Sequence, residues 1–157
     1  MALVSYTVVR PFEASPARLF RGLTEPADLA AWAWGERARD VRAQVDLRPG
    51  GAFEITMQAP GSGDAGKRDG MRGMYVDVRP GKRLVHTLHW DADVGYNAPP
   101  ADPLDEVVIA EIEPDGRGSR LSYTHLGIPE GGGAAAEHER SVRATLEDLA
   151  RRLAAAP

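Results

Sequence analysis

The stretch Asp46-Leu47-Arg48-Pro49-Gly50-Gly51-Ala52-Phe53 joins two runs in which apolar and polar residues strictly alternate. Upstream, Val41, Ala43, Val45 and Leu47 are interleaved with Asp40, Arg42, Gln44 and Asp46. Downstream, Phe53, Ile55 and Met57 are separated by Glu54 and Thr56. A period of two marks strands, because successive side chains point to opposite faces. Each strand therefore has one dry face and one wet face. Pro-Gly-Gly between them is a tight reversal, since proline presets its own φ and glycine tolerates positive φ. The reading is a β-hairpin in a sheet that buries one face only.

The partner for that dry face lies at the other end of the chain. Val142, Leu146, Leu149 and Leu153 recur at spacings of four, three and four, which is one side of an α-helix. Arg140, Arg143, Glu147, Arg151 and Arg152 cover the remainder. Such a helix must lie on the dry face of the sheet, so all four apolar residues are expected to face it.

Between these ends the chain reads as an antiparallel meander. Residues 6–12 form a first strand, with Tyr6, Val8 and Arg10 on one face. Ser15-Pro16 starts a short helix, serine capping and proline giving up a donor that would be orphaned anyway. Leu19, Phe20 and Leu23 are its apolar side. Glu25-Pro26 starts a second, more weakly capped helix whose apolar side is Leu29, Trp32 and Ala33. Residues 60–70 are a solvated connection rich in Gly and Asp. Residues 71–79 and 83–90 are strands about the turn Pro80-Gly81, with Leu84, His86, Leu88 and Trp90 on one face. Residues 106–113 and 119–126 form a last hairpin around Pro114-Asp115-Gly116. The connection at residues 91–103 carries three prolines and is long enough to serve as a rim or lid. Gly131-Gly132-Gly133 is a hinge before the closing helix, not a phosphate loop, because no Lys-Ser/Thr follows.

Bulk properties limit the function classes. A chain of 157 residues fits one domain, residues 1–157, and can bury a core without staples. A formal net charge of −4 does not attract nucleic acid or anionic lipid over the whole surface. The absence of cysteine excludes disulfides, thiolate catalysis and cysteine-ligated zinc. No signal peptide or membrane-length apolar run is present, so a cytoplasmic location and no membrane insertion are expected.

The ordered motifs resemble the START-like (SRPBCC, Bet v 1-like) superfamily, in its branch of activators of the heat-shock-protein-90 ATPase. They are Arg10-Pro11-Phe12-x-Ala14-x-Pro16 followed by Leu19-Phe20; Leu23-Thr24-Glu25-Pro26 with Leu29 and Trp32; and Leu47-Arg48-Pro49-Gly50-Gly51-x-Phe53. Gly73-x-Tyr75 with Pro80 and Arg83-Leu84, and Leu121-x-Tyr123-Thr124-His125, complete the set. The resemblance implies an α+β helix-grip fold. A curved antiparallel sheet of about six to seven strands grips the long C-terminal helix, with two short helices beside it and an apolar cavity between. Two positions depart from the branch. Ser141-Val142 stand where many relatives have Gly-Trp, and Trp32-Ala33-Trp34 where relatives often have adjacent tryptophans. Both places would face the cavity, so a relative's ligand cannot be transferred. The fold hosts binders, cyclases and chaperone cofactors alike, and function must be argued from the site.

On this reading Trp32, Trp34, Phe53, Met57, Tyr75, Trp90 and Val142 are candidates for an apolar pocket, reached near residues 91–103. His86, Tyr123 and His125 are polar groups on dry strand faces, which need partners or a ligand. Both histidines are expected to be neutral at pH 7. In a binder they hold the polar end of a ligand; in a cyclase- or hydrolase-type enzyme they are the acid–base set. Otherwise they bond to each other or to buried water. His86 and His89 point to opposite faces and cannot share a metal. The arginines of the closing helix are interspersed with Glu137, Glu139, Glu147 and Asp148 and read as a solvated face. The leading expectation is a binder of a small apolar or amphipathic molecule, with no cofactor, no metal and no nucleic acid. A homodimer and a chaperone partner stay open.

Overall fold

The computed structural model describes residues 2–35, 38–59, 66, 68–91, 106–131 and 133–155. The elements are β1 (Leu3–Phe12), α1 (Pro16–Gly22), α2 (Pro26–Trp32), β2 (Arg42–Val45), β3 (Ala52–Gln58), β4 (Arg68–Arg79), β5 (Arg83–Asp91), β6 (Glu106–Asp115), β7 (Gly118–Pro129) and α3 (Ala134–Ala155). The strands form one antiparallel sheet of seven in the order β1-β7-β6-β5-β4-β3-β2. From β2 to β7 the chain is a simple meander, and β1 joins the far edge beside β7. This is the α+β helix-grip arrangement, with three helices on one side of the sheet.

The hairpin forms as its alternation requires. Val45 faces Phe53 and Ala43 faces Ile55 across β2 and β3. Gly50 has φ +81°, and a Cβ on Gly51 would stand 2.0 Å from the Asp46 carbonyl oxygen. The turn backbone then docks on β4: Gly50 N donates to the Tyr75 carbonyl at 2.8 Å, and Tyr75 N donates to the Gly51 carbonyl at 2.9 Å. Leu47 departs from the alternation. Strand β2 ends at Val45, so Leu47 belongs to the turn and is 39% exposed. After β3, strand β4 begins at Arg68, inside the stretch expected to be connection.

The short helices start where the caps place them. Ser15 Oγ accepts from Arg18 N at 3.2 Å, and Pro16 is the first helical residue. Glu25 makes no side-chain cap bond to α2. Trp32 Nε1 donates back to the Gly22 carbonyl at 2.8 Å and ties the end of α2 to the end of α1.

Helix α3 lies over β1 and β7, with α1 and α2 alongside it. Leu146, Leu149 and Leu153 are buried, whereas Val142 is half-buried. Not all of this stripe meets the sheet, because Leu149 and Leu153 press against Gly22 of α1. The charged face of α3 is also more than solvated surface. Arg152 donates to the buried carboxylate of Asp28 on α2 at 2.5 Å, and Arg18 of α1 reaches the same carboxylate at 2.9 Å. One buried acid thus pins all three helices. Arg10 on β1 adds a two-point contact to Glu147 at 3.0 and 2.8 Å. No helix is long and apolar enough to cross a membrane among the described residues.

Candidate functional site

Strands β3 to β7 and helices α2 and α3 border a partly open space of about 250 Å³. Leu29, Trp32 and Ala33, with Leu23 just after α1, form its helical wall on one side. The sheet contributes Phe53 and Ile55 from β3, Met71 and Tyr75 from β4, and Leu84, His86, Leu88 and Trp90 from β5. Ala110, Tyr123 and His125 continue the floor on β6 and β7. Helix α3 closes it with Glu137, His138, Ser141, Val142 and Thr145.

The period-two strands explain this lining. On β5, Leu84, His86, Leu88 and Trp90 alternate with outward residues, and all four border the space. Gly73 on β4 lets the Phe53 ring cross the sheet closely, since a Cβ there would stand 2.6 Å from that ring. Phe53 then meets Tyr75 at 5.4 Å and His86 at 4.8 Å between ring centroids. His89 points to the other face and sits 3.4 Å from Asp91.

Of the residues singled out from sequence, Trp32, Phe53, Tyr75, His86, Trp90, Tyr123, His125 and Val142 border this space. Trp34 and Met57 do not. Trp34 lies beyond the end of α2, where its ring packs edge-on against Trp90 at 5.7 Å and its Nε1 faces the Ile55 carbonyl at 3.4 Å. Met57 is near the end of β3, past the part of that strand that borders the space. Ser141 and Val142 both border it. The connection expected to form the opening, residues 91–103, lies outside the described residues after Asp91.

The polar residues fall into two groups. His86 Nδ1 lies 2.8 Å from the Thr87 carbonyl, which can only accept, so Nε2 carries the lone pair. Burial pushes His86 down to about 4, and it is neutral at pH 7. Burial raises Tyr75, and burial together with the nearby Glu106 charge raises Tyr123, so both phenols keep their protons. Among the described residues, the hydroxyls of Tyr75 and Tyr123 and Nε2 of His86 have no hydrogen-bond partner.

The second group is tightly bonded. His125 Nδ1 is 2.9 Å from the Tyr6 hydroxyl, and its Nε2 is 2.6 Å from Glu106 Oε2. Trp90 Nε1 donates to the same Glu106 oxygen at 2.9 Å. Burial raises the Glu106 carboxyl, but the His125 and Trp90 hydrogen bonds outweigh it and hold the group below the usual glutamate value. His138 joins from α3, its ring 5.5 Å from that of His125 and 6.0 Å from that of Trp90. Burial lowers His138, and the neighbouring His125 acts the same way, against the charges of Glu106 and Glu137.

Glu106 and His138 were not singled out from sequence, although a signal existed for each. Glu106 is in phase with the buried Val108, Ala110 and Ile112, and His138 stands four residues before Val142 in the phase of the α3 stripe.

The description "Activator of Hsp90 ATPase homolog 1-like protein" matches residues 13–154. The chain belongs to that family. No curated protein matches it. Among solved structures it is similar to protein NE0264 from Nitrosomonas europaea, with 27% identity over 98% of this chain and 96% of that one, at a TM-score of 0.72. Protein CV1439 from Chromobacterium violaceum is 25% identical over 94% of this chain and 95% of its own, also at 0.72. A protein of unknown function, SA2116 from Staphylococcus aureus, reaches the same TM-score at 13% identity over 98% and 95% of the two chains, a likeness of fold alone.

Proposed function

We propose that this protein binds a small apolar or amphipathic molecule in the space between its sheet and α3. The observation that carries the reading is the lining: mostly apolar side chains, with polar atoms on Tyr75, Tyr123 and His86 that have no partner among the described residues. Small-molecule sites have this composition, a mostly apolar wall with a few polar groups that fix orientation. Leaving about 250 Å³ unfilled also has a cost. At about 24 cal/mol per Å³ it forgoes on the order of 6 kcal/mol of packing, an upper bound because water can enter. That compares with a total stability of roughly 5–15 kcal/mol for a domain, so filling the space would be an easy route to stability.

The enzyme reading draws less support. Both ring nitrogens of His125 are engaged, by Tyr6 and Glu106. His86, pushed down to about 4, is a weak base at neutral pH. Hydrogen bonding to a ligand oxygen or N–H suits these groups better than proton transfer.

Titration with 1-anilinonaphthalene-8-sulfonate, followed by the emission of the three tryptophans, tests the binder. Saturable one-to-one binding is expected. Ala110→Phe, which grows a side chain into the space from β6, should abolish it while leaving a cooperative melt. Probe affinity unchanged in Ala110→Phe, or no saturable signal in the parent, would overturn the reading. The family description supports a second reading, a module that docks on the Hsp90 chaperone. It predicts a faster Hsp90 ATPase in the presence of the chain, and an unchanged rate at saturating chain concentration would end it.

A further inference from the structure

We propose that Glu106, His125 and His138 form a binding site for a divalent transition-metal ion of the zinc class, set into the wall of the apolar space. The three residues come from three elements, the start of β6, the middle of β7 and the first turns of α3. One donor atom from each lies within 4.8 Å of the other two; Glu106 and His125 are buried, and His138 is 8% exposed. Two imidazoles and one carboxylate are the donor set that such ions take when three protein ligands leave a position open.

The outer contacts strengthen the case. A metal-ligating histidine bonds its second ring nitrogen to a fixed partner, and a ligating carboxylate is itself hydrogen-bonded. Here the Tyr6 hydroxyl lies 2.9 Å from His125 Nδ1, leaving Nε2 to face Glu106. Trp90 Nε1 fixes the Glu106 carboxylate at 2.9 Å. A buried ion pair needs only the 2.6 Å contact between His125 and Glu106. His138 is brought up beside that pair from a third element, its ring 5.5 Å from that of His125.

The geometry requires a small change. Ligands about 2.1 Å from a tetrahedral ion stand about 3.4 Å apart. The 2.6 Å His125–Glu106 contact must widen and the remaining donors must close in from at most 4.8 Å, adjustments that side-chain torsions supply. In the metal-free protein a proton on His125 Nε2 bridges to the carboxylate. The incoming dication takes its place at Nε2, and the ring's one proton moves through solvent to Nδ1, where it donates to the Tyr6 hydroxyl oxygen, so that His125 binds as a neutral imidazole. The ion offsets the buried Glu106 charge, and Glu137, which also borders the space, adds negative potential at its rim. His125 and His138 border the space directly, so the open coordination position points toward it. An oxygen donor, water or the carboxylate of an amphipathic molecule, would complete the shell.

The test is titration of chelator-dialysed protein with Co²⁺ at pH 7.5, followed by visible absorption, with Zn²⁺ as competitor. One Co²⁺ per chain with intense tetrahedral bands, displaced by Zn²⁺, is expected, together with a rise in melting temperature on adding Zn²⁺. His138→Ala and Glu106→Gln should each weaken binding at least a hundredfold, and His89→Ala, on the other face of the sheet, should not. His138→Asn keeps more side-chain volume and serves if His138→Ala does not fold. No saturable Co²⁺ spectrum and no Zn²⁺-dependent stabilisation in the parent would overturn the proposal. So would binding that survives both ligand substitutions. The naphthalene-sulfonate titration of metal-free protein reads the apolar space separately, so either result can fail alone.

Discussion

Replacing Leu149 by alanine tests the junction on which the closed fold depends. Leu149 has 0% exposure, as do Leu146 beside it and Leu19 on α1. Its Cδ1 lies 3.0 Å from where a Cβ on Gly22 would be, and Leu153 Cδ2 lies 3.2 Å from the same point. The wall facing Leu149 is therefore glycine backbone, with no side chain of its own to swing into a void. Three carbons leave on truncation, about 2.4 kcal/mol of transfer at ~0.8 kcal/mol each. A residual cavity adds to that, and buried leucine truncations cost about 2–5 kcal/mol in all. With a rigid wall on one side, about 3–4 kcal/mol is expected. For a domain of this size each kcal/mol moves the midpoint by about 2–4 °C, so the melt should fall by roughly 10 °C. Thermal melts by circular dichroism, with urea titrations checking that the slope is unchanged, read this directly. Leu149→Asp, which buries an unpaired charge, should prevent stable folding. A Leu149→Ala melt within about 2 °C of the parent would show that α3 is not seated on α1 as described.

Two further outcomes follow from the same contacts. Burial raises the Asp28 carboxyl, but hydrogen bonds from Arg18 and Arg152 outweigh it and leave the group below its ordinary value of 3.8. A depressed carboxylate contributes stability that is complete above the unfolded value and is lost as pH falls through the folded one. The parent's melting temperature should therefore drop below about pH 4 more steeply than that of Asp28→Asn, which at pH 7 should be less stable by about 3 kcal/mol; equal acid slopes would remove Asp28 from the account. In Gly73→Ala the new Cβ would stand 2.0 Å from the Thr87 carbonyl oxygen and 2.6 Å from the Phe53 ring. A cost of at least ~2 kcal/mol is expected, seen as a fall of on the order of 1 M in the urea midpoint, and an unchanged midpoint would mean that β4 and β5 do not approach as closely as this.

The elements that sequence reveals well are those governed by one local rule. Alternation places Phe53 and Ile55 on one face of β3, and a pleated strand has no other way to arrange them. Ser15-Pro16 starts α1 because the cap and the missing donor are local chemistry. Leu47 fails the rule because the reversal begins before the alternation stops. Asp46 N donates to the Ala52 carbonyl at 2.9 Å, closing the strand, and Leu47 is carried out with the turn. Arg152 fails for a different reason. Helical periodicity assigns it to the wet side, but α2 lies against that side and presents Asp28 to it. Whether a charged helix face meets water or a second helix is decided by packing between elements far apart in sequence.

The polar cluster shows where that boundary falls for the site. Period two alone puts His86, Trp90, Tyr123 and His125 on dry faces, and all four border the space. It does not say which of them meet. His125 pairs with Val108 across β6 and β7, so Glu106, two residues before Val108, lies diagonally opposite on the same face and can reach the ring. A shift of one residue in that register would turn Glu106 to the outer face and leave His125 with Tyr6 alone. His138 arrives only because α3 starts at Ala134 and crosses above β7, a placement set by the whole helix packing on β1, α1 and α2. The residues are separated by 19 and 13 positions, and no short motif could link them. What the sequence does offer is two anomalies: a glutamate in phase with Val108, Ala110 and Ile112, and a histidine in phase with Val142 and Leu146. A charged or titratable residue in the dry phase of an amphipathic element must find a partner or a ligand. Glu106 finds its partners in His125 and Trp90, and His138, brought in from α3 with its ring 5.5 Å from that of His125, completes a set that an isolated core polar group would not need.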